Sequence, residues 1–215
     1  MQYDETYGSV EHYFGAQPER LLKNHYRKVD KSGRVLDLGV GQGRHALFLA
    51  RKGYSVDAID PSRVAVEMVS EAAAREHLPI RTYRCGFDAF APQTDYYSGI
   101  LIFGLIQILP RPSIRLLLEK VGAWTRAGSI VFVRAFSTQD PSFDRTRRSR
   151  RWKSCGKNSF KNGRSHFRTY LESGEILHLF DDYRTIYHWE GLGPEHRHGD
   201  GPSERHAEVE AVFQR

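Results

Sequence analysis

Short runs of consecutive apolar, often β-branched residues alternate along the first two-thirds of the chain with longer stretches whose apolar positions recur every three to four residues. The first kind of run reads as a buried strand and the second as an amphipathic helix. On that basis "RVLDLG" (34–39) is a strand, 43–52 a helix, "YSVDAID" (54–60) a second strand, and 62–77 a helix entered after Pro61. "IRTYRC" (80–85), "GILIFGL" (99–105) and "SIVFVRAF" (129–136) are further central strands, with a helix from 112 to 123 before the last. Near-continuous apolar strands separated by helices predict a parallel sheet covered on both faces. The alternation then breaks. A helix near 170–180 precedes two strand-like runs, "RTIYHWEGL" (184–192) and "RHAEVEAVFQR" (205–215), joined by a turn-rich loop. Such a hairpin, added to a parallel sheet, makes the last strand antiparallel to its neighbours.

Composition adds limits to this α/β pattern. A length of 215 residues with 40% hydrophobic content predicts one domain over 1–215, because it can bury one substantial core without requiring a second. The longest apolar run, "GILIFGLIQIL" from Gly99, is interrupted by Gln107 and too short to span a bilayer, and no apolar leader follows Met1. A cytoplasmic protein without membrane partners is expected. Cys85 and Cys155 are the only cysteines, too few for a disulfide framework or a four-cysteine zinc site. The net charge of +6 is unevenly spread: residues 145–168 hold ten Lys or Arg and no acid, and the rest has 22 basic against 26 acidic residues. With Ser, Asn and Gly abundant there, the segment from about 144 to 168 reads as a mobile basic loop insertion.

The chemistry is concentrated at "VLDLGVGQGR". Gly39, Gly41 and Gly43 spell G-x-G-x-G, where the dinucleotide fingerprint requires G-x-G-x-x-G, and no G-K-[ST] follows. Asp37, just before the glycines, would repel a pyrophosphate and suits an ammonium or sulfonium. Asp60 ends the second strand, where a carboxylate can accept from both ribose hydroxyls. Asp88, in "CGFDAF", could accept from an adenine amino group, with Phe87 and Phe90 as ring-packing residues. The indicated ligand is a nucleoside with a cationic tail.

"VLDLGVGQGR", "VDAIDPS", "FDAF", the "WTRAGSIVFV" strand entry and the terminal hairpin together resemble the class I S-adenosylmethionine-dependent methyltransferases, over nearly the whole chain. Within that class, the aromatic-rich opening "YDETYGSVEHYFGAQPERLL", "GRHALFLARKGYSVDAID", "YLESGEI" and "GPEHRHGD" are most similar to the small tellurite-resistance and thiopurine-like methyltransferases. The resemblance implies a Rossmann-like, doubly wound, mostly parallel seven-stranded sheet and S-adenosylmethionine as cofactor. It implies that Asp37 holds the cofactor's amino-acid portion, that Gly39, Gly41 and Gly43 allow close approach, and that Asp60 holds the ribose. Phe87 and Asp88 would flank the adenine, and Phe103 with Ile106 would line the open side.

A sulfonium methyl is already activated, so transfer needs mainly alignment of the acceptor, with a base only where the acceptor is protonated. The loop "GPEHRHGDGPSERH" supplies His196 as base or positioner, Arg197 and Arg205 for an oxyanion, and His198 and His206 beside them. The H-x-H pair lacks the carboxylates or cysteines of a metal site, so no metal is expected. Tyr3, Tyr7, Tyr13 and Phe14 form either a lid within residues 1–30 or the packing face of a helix. The expected acceptor is a small molecule: an oxyanion, chalcogen or thiol-like compound. The alternatives are a methyltransferase acting on RNA or another polyanion through the basic segment, and a nonenzymatic nucleic-acid-binding protein that retains the fold.

Overall fold

The computed structural model describes residues 3–10, 12–197 and 201–215. Twelve strands and seven α-helices follow in the order α1 (Asp4–Ser9), α2 (Arg20–His25), β1 (Arg34–Leu38), α3 (Arg44–Arg51), β2 (Ser55–Ile59), α4 (Arg63–Arg75), β3 (Ile80–Tyr83), β4 (Tyr97–Phe103), α5 (Arg111–Trp124), β5 (Thr125–Phe136), α6 (Pro141–Arg148), β6 (Trp152–Gly156), β7 (Ser159–Asn162), β8 (Phe167–Thr169), α7 (Glu175–Leu179), β9 (Arg184–Leu192), β10 (His196–Arg197), β11 (Ser203–Glu204) and β12 (Ala207–Gln214). Local chemistry sets several boundaries. Ser62 caps α4 by accepting from the Ala65 N–H, and Asp140 caps α6 by accepting from Ser142, with Pro141 in its first turn.

The main sheet has seven strands in the order β3-β2-β1-β4-β5-β12-β9. β1 to β5 pair in parallel, and β12 runs antiparallel to both β5 and β9. Each face carries its own apolar layer. Leu36, Ile100, Val131, Val133 and Ala211 pack with Leu117 and Val121 of α5 on one side, and Val35, Leu101, Phe132 and Val212 pack with Leu21, Leu22 and Leu49 of α2 and α3 on the other. Strand order reverses between β1 and β4, which opens the ligand crevice at their carboxyl ends.

The segment read as a mobile basic loop is folded. It holds the end of α6 and the antiparallel sheet β6-β7-β8. That sheet is seated through a third apolar cluster of Phe136, Phe160 and Tyr170, joined by Phe143 and Trp152. The aromatic residues interleaved with the cations are the anchors that hold this sheet, and composition alone does not show which face they take.

Candidate functional site

The glycine turn leaves β1 and enters α3. Gly39, Gly41 and Gly43 all have positive φ, at 77°, 52° and 85°. Two of them are also closely packed: a Cβ on Gly41 would lie 3.2 Å from the Tyr7 hydroxyl, and one on Gly43 would clash at 2.7 Å with Val69 Cγ2. Asp60 is buried beside this turn. Its Oδ2 accepts from the Gly41 N–H at 3.0 Å and its Oδ1 from the Ser62 N–H at 2.8 Å. Burial raises its pKa, against the lowering effect of those two amides. Each oxygen keeps a second lone pair for a hydroxyl donor.

Asp37 is fully enclosed, and its Oδ2 has no hydrogen-bond partner among the described residues. Burial pushes its pKa up to about 7, only partly offset by the Ala46 N–H and by Arg44. A buried carboxylate oxygen left without a donor is costly and calls for a partner. This orphaned oxygen beside a left-handed glycine cradle fits a nucleoside bearing an ammonium or sulfonium.

The other expected cofactor residues divide. Phe87 is buried in the α5-side core while Asp88 is exposed at the same crevice edge. Phe103 stacks on His45 at 4.3 Å, on the α3 side of β4. Ile106 is wholly buried in the core, and the side chain that faces the glycine turn is Leu105, whose Cδ1 lies 4.0 Å from the Cβ position of Gly39. The short helical turn after β4 points Ile106 inward, a one-position offset that spacing does not reveal.

The N-terminal segment roofs the turn. The Gln42 side chain accepts from the Tyr13 N–H at 2.7 Å and donates to the carbonyls of Tyr7 and Val10. Arg44 donates to the Phe14 carbonyl at 2.6 Å and pairs with Glu19. Glu19 also pairs with Arg134 of β5, and Arg134 with Glu208 of β12. Thus in "GVGQGR" the glycines make the turn while Gln42 and Arg44 hold the roof. Tyr3 and Tyr7 stack at 5.6 Å, and Phe14 meets Tyr7 edge-on at 6.4 Å, so the aromatic residues of the opening segment pack with one another over the turn.

At the carboxyl edge of β5 the structure orients a histidine that sequence spacing does not single out. His206 Nδ1 lies 2.9 Å from Asp140 Oδ2, and its ring stacks on Phe136 at 4.3 Å. Asp140 also accepts from the Ala207 N–H and from Ser142. Burial works to raise its pKa, but the hydrogen bonds from His206 and Ser142 hold it below the ordinary value. The two residues stand 66 positions apart, which is why the pairing is invisible in the loop's own sequence. His196 is brought to 5.3 Å from the His206 ring, with its Nδ1 3.1 Å from the Pro194 carbonyl.

The two arginines expected at an oxyanion are not brought together with these imidazoles. Arg197 is exposed on the small β10-β11 hairpin. Arg205 donates to the Gly193 carbonyl at 3.0 Å and lines a cavity of about 340 Å³ between α2, β9 and β12. His198 lies outside the described residues. No group of three or more His, Cys, Asp or Glu able to hold a metal occurs among the described residues. No helix among them is long and apolar enough to cross a membrane. Cys85 is half-buried, with burial raising its thiol pKa, and Cys155 is exposed.

Comparison with known proteins gives a concordant result. Residues 35–128 match the family described as "Methyltransferase domain". The chain is 39% identical over 110 residues to Hemagglutinin 1 of Eikenella corrodens, covering 50% of this chain and 36% of that protein. It is 30% identical over 114 residues to the probable S-adenosyl-L-methionine-dependent methyltransferase TehB of Haemophilus influenzae, covering 53% and 40%. The chain therefore spans less than half the length of these curated relatives. The crystal structure of TehB from Haemophilus influenzae superposes with a TM-score of 0.70 at 20% identity, over 99% of this chain and 65% of that one. A Burkholderia thailandensis 1,6-didemethyltoxoflavin-N1-methyltransferase, solved with that substrate and S-adenosylhomocysteine bound, superposes at 0.68 with 14% identity, over 99% and 84%. Residues 35–128 are thus similar to a methyltransferase domain, and the chain shares the fold of these solved methyltransferases.

Proposed function

We propose that the chain transfers a methyl group from S-adenosylmethionine to a small acceptor held between the N-terminal roof and the carboxyl ends of β4 and β5. The observation that carries this reading is the roof itself. Gln42 and Arg44 anchor the backbone of Tyr7, Val10, Tyr13, Phe14 and Gln17 across the glycine turn, so the methyl-donor site is walled by the N-terminal segment. A walled site admits a small molecule and keeps water from a reactive sulfonium. Bound S-adenosylmethionine supplies an activated methyl electrophile. The chain's part is to bind and align: Asp37 receives the cationic tail, Asp60 the ribose hydroxyls, and Asp88 the adenine amino group.

The Asp140–His206 pair supplies a positioned imidazole. Asp140 holds the proton on Nδ1, which leaves Nε2 as the nitrogen able to take a proton from an acceptor. Nε2 faces the half-exposed Glu204 carboxylate at 3.4 Å, which must swing aside before that nitrogen can take a proton. With an acceptor that must lose a proton, His206→Gln lowers kcat by about 100-fold, whereas an acceptor already anionic shows no such loss.

The reading is tested in two parts. Calorimetric titration with S-adenosylhomocysteine gives binding that Asp60→Ala weakens by about tenfold or more, since the variant loses two hydrogen bonds to a charged acceptor. An unchanged affinity removes the ribose assignment. A screen with labelled cofactor across thiols, chalcogen oxyanions, small carboxylates and RNA then identifies the acceptor, and labelling of RNA alone would overturn the small-acceptor reading.

A further inference from the structure

The sheet β6-β7-β8 and the adjoining α6 plan a surface that the methyl-transfer reading does not use. Of the ten cations in residues 145–168, nine are exposed: Arg168 alone turns inward, its guanidinium 5.8 Å from the Phe136 ring centroid. Arg147 and Arg148 pair with Asp144, and Lys157 with Glu172. Arg145, Arg150, Arg151, Lys153, Lys161 and Arg164 make no ion pair among the described residues.

The register of the sheet sharpens this. Lys153 of β6 stands directly opposite Lys161 of β7, and Lys161 opposite Phe167 of β8. Both lysines are exposed. The Lys161 ammonium sits 5.5 Å from the Phe167 ring centroid. Like charges placed directly across a ladder oppose sheet formation. The fold tolerates that repulsion on a face it has no need to charge, although the remainder of the chain is net acidic. A row of two ammoniums and a partly exposed ring, with the exposed Arg150 and Arg151 in the turn that enters β6, matches what a nucleic-acid single strand presents: phosphates at regular spacing and bases with open faces.

We infer that the outer face of β6-β7-β8 binds single-stranded nucleic acid. A membrane surface is the weaker match. The exposed large hydrophobic residues among the described ones are Phe14, Leu116 and Leu192, none of them on this sheet, so the partly exposed Phe167 lacks the apolar neighbours a bilayer anchor needs. The opposite face of the sheet is occupied by Phe160, buried against Phe136 and Tyr170, so the outer face alone is open to a ligand.

The test is fluorescence anisotropy of the full chain with a labelled oligouridylate of about 20 nucleotides, titrated between about 50 and 200 mM salt. The expected result is binding that weakens steeply with salt. K153Q/K161Q should raise Kd by about tenfold and shallow the log–log salt slope by about 1.4, two phosphate contacts at about 0.7 each. Phe167→Ala should weaken binding several-fold with the salt slope unchanged, since a stacking contact releases no counterion. The double variant removes a repulsion, so its melting temperature does not fall, and its loss of binding is not misfolding. R75Q/R81Q, exposed at the far edge of the main sheet, serves as the control and leaves Kd unchanged. Absence of binding at low salt overturns the inference, as does equal loss in the control. Binding to phosphatidylserine vesicles without binding to the oligonucleotide assigns the patch to membranes and overturns it as well. None of these readouts involves methyl transfer, so the result stands apart from the acceptor assignment.

Discussion

Asp37→Asn is expected to weaken S-adenosylhomocysteine binding by about 10- to 100-fold, the cost of losing a hydrogen bond to a charged group in a buried site. The wild-type affinity should also rise with pH through about 7 and level off above it, because the ligand's ammonium favours the ionised carboxylate. The variant's affinity should be flat over that range. Its stability runs the other way. A carboxyl whose pKa is raised by folding holds its proton more tightly in the native state, so ionising it destabilises the free protein. Wild-type stability therefore falls as pH rises from the ordinary carboxylate range through about 7. The loss is on the order of 4 kcal/mol. Asn escapes that loss but leaves its own amide without an acceptor, at about 1–3 kcal/mol at every pH. The diagnostic quantity is thus the difference between urea-unfolding curves at pH 5 and pH 8. It should move in favour of the variant as pH rises, and a pH-independent difference would refute the orphaned-carboxylate account.

Glu19→Gln should be the most destabilising single change in the roof. Glu19 is held between Arg44 and Arg134, and Arg134 retains Glu208 while Arg44 has no second ion pair among the described residues and keeps only the field of Asp37. Removing the shared anion leaves a largely buried guanidinium without its contact partner, at about 3–5 kcal/mol. Burial opposes ionisation of Glu19, but the two guanidiniums prevail and its pKa lies below the ordinary value. Its contribution is therefore complete above the unfolded-state pKa and is lost as pH falls through the lower native one. The wild type and the variant should converge in acid. Chemical unfolding at pH 7.5 and pH 4 measures this, and limited proteolysis around residues 10–17 reports release of the roof. Equal stability at pH 7.5 would show that the network contributes nothing net.

The parallel half of the sheet was legible because β1, β2, β4 and β5 are buried on both faces and so read as unbroken apolar runs. Their predicted positions agree with Arg34–Leu38, Ser55–Ile59, Tyr97–Phe103 and Thr125–Phe136 to within a few residues at each end. β9 and β12 were legible from the terminal hairpin pattern, and the antiparallel pairing of β12 follows it. The small sheet β6-β7-β8 was not. Lys153, Ser154, Cys155 and Gly156 carry no apolar alternation, and only Phe160 and Trp152 reach the core. The glycine turn, Asp37 and Asp60 were readable because one short segment carries each of them in register. The Asp140–His206 pair was not, since it exists only once β5 and β12 lie side by side. Gln42 and Arg44 were hidden in plain view between the glycines, with their partners more than two dozen residues upstream.

The position of β12 has a consequence for how the chain is made. β12 lies between β5 and β9, and β9 has no other neighbour in the main sheet. During synthesis from the N-terminus, β9 leaves the ribosome before the strand that will bind it. It must wait as an unpaired ribbon until residues 207–214 arrive and slot in. The sheet thus closes in a single late event, and that event also docks His206 against Asp140. A nascent chain halted before residue 206 would hold a finished glycine turn and an unfinished edge, a state open to misassociation with another copy.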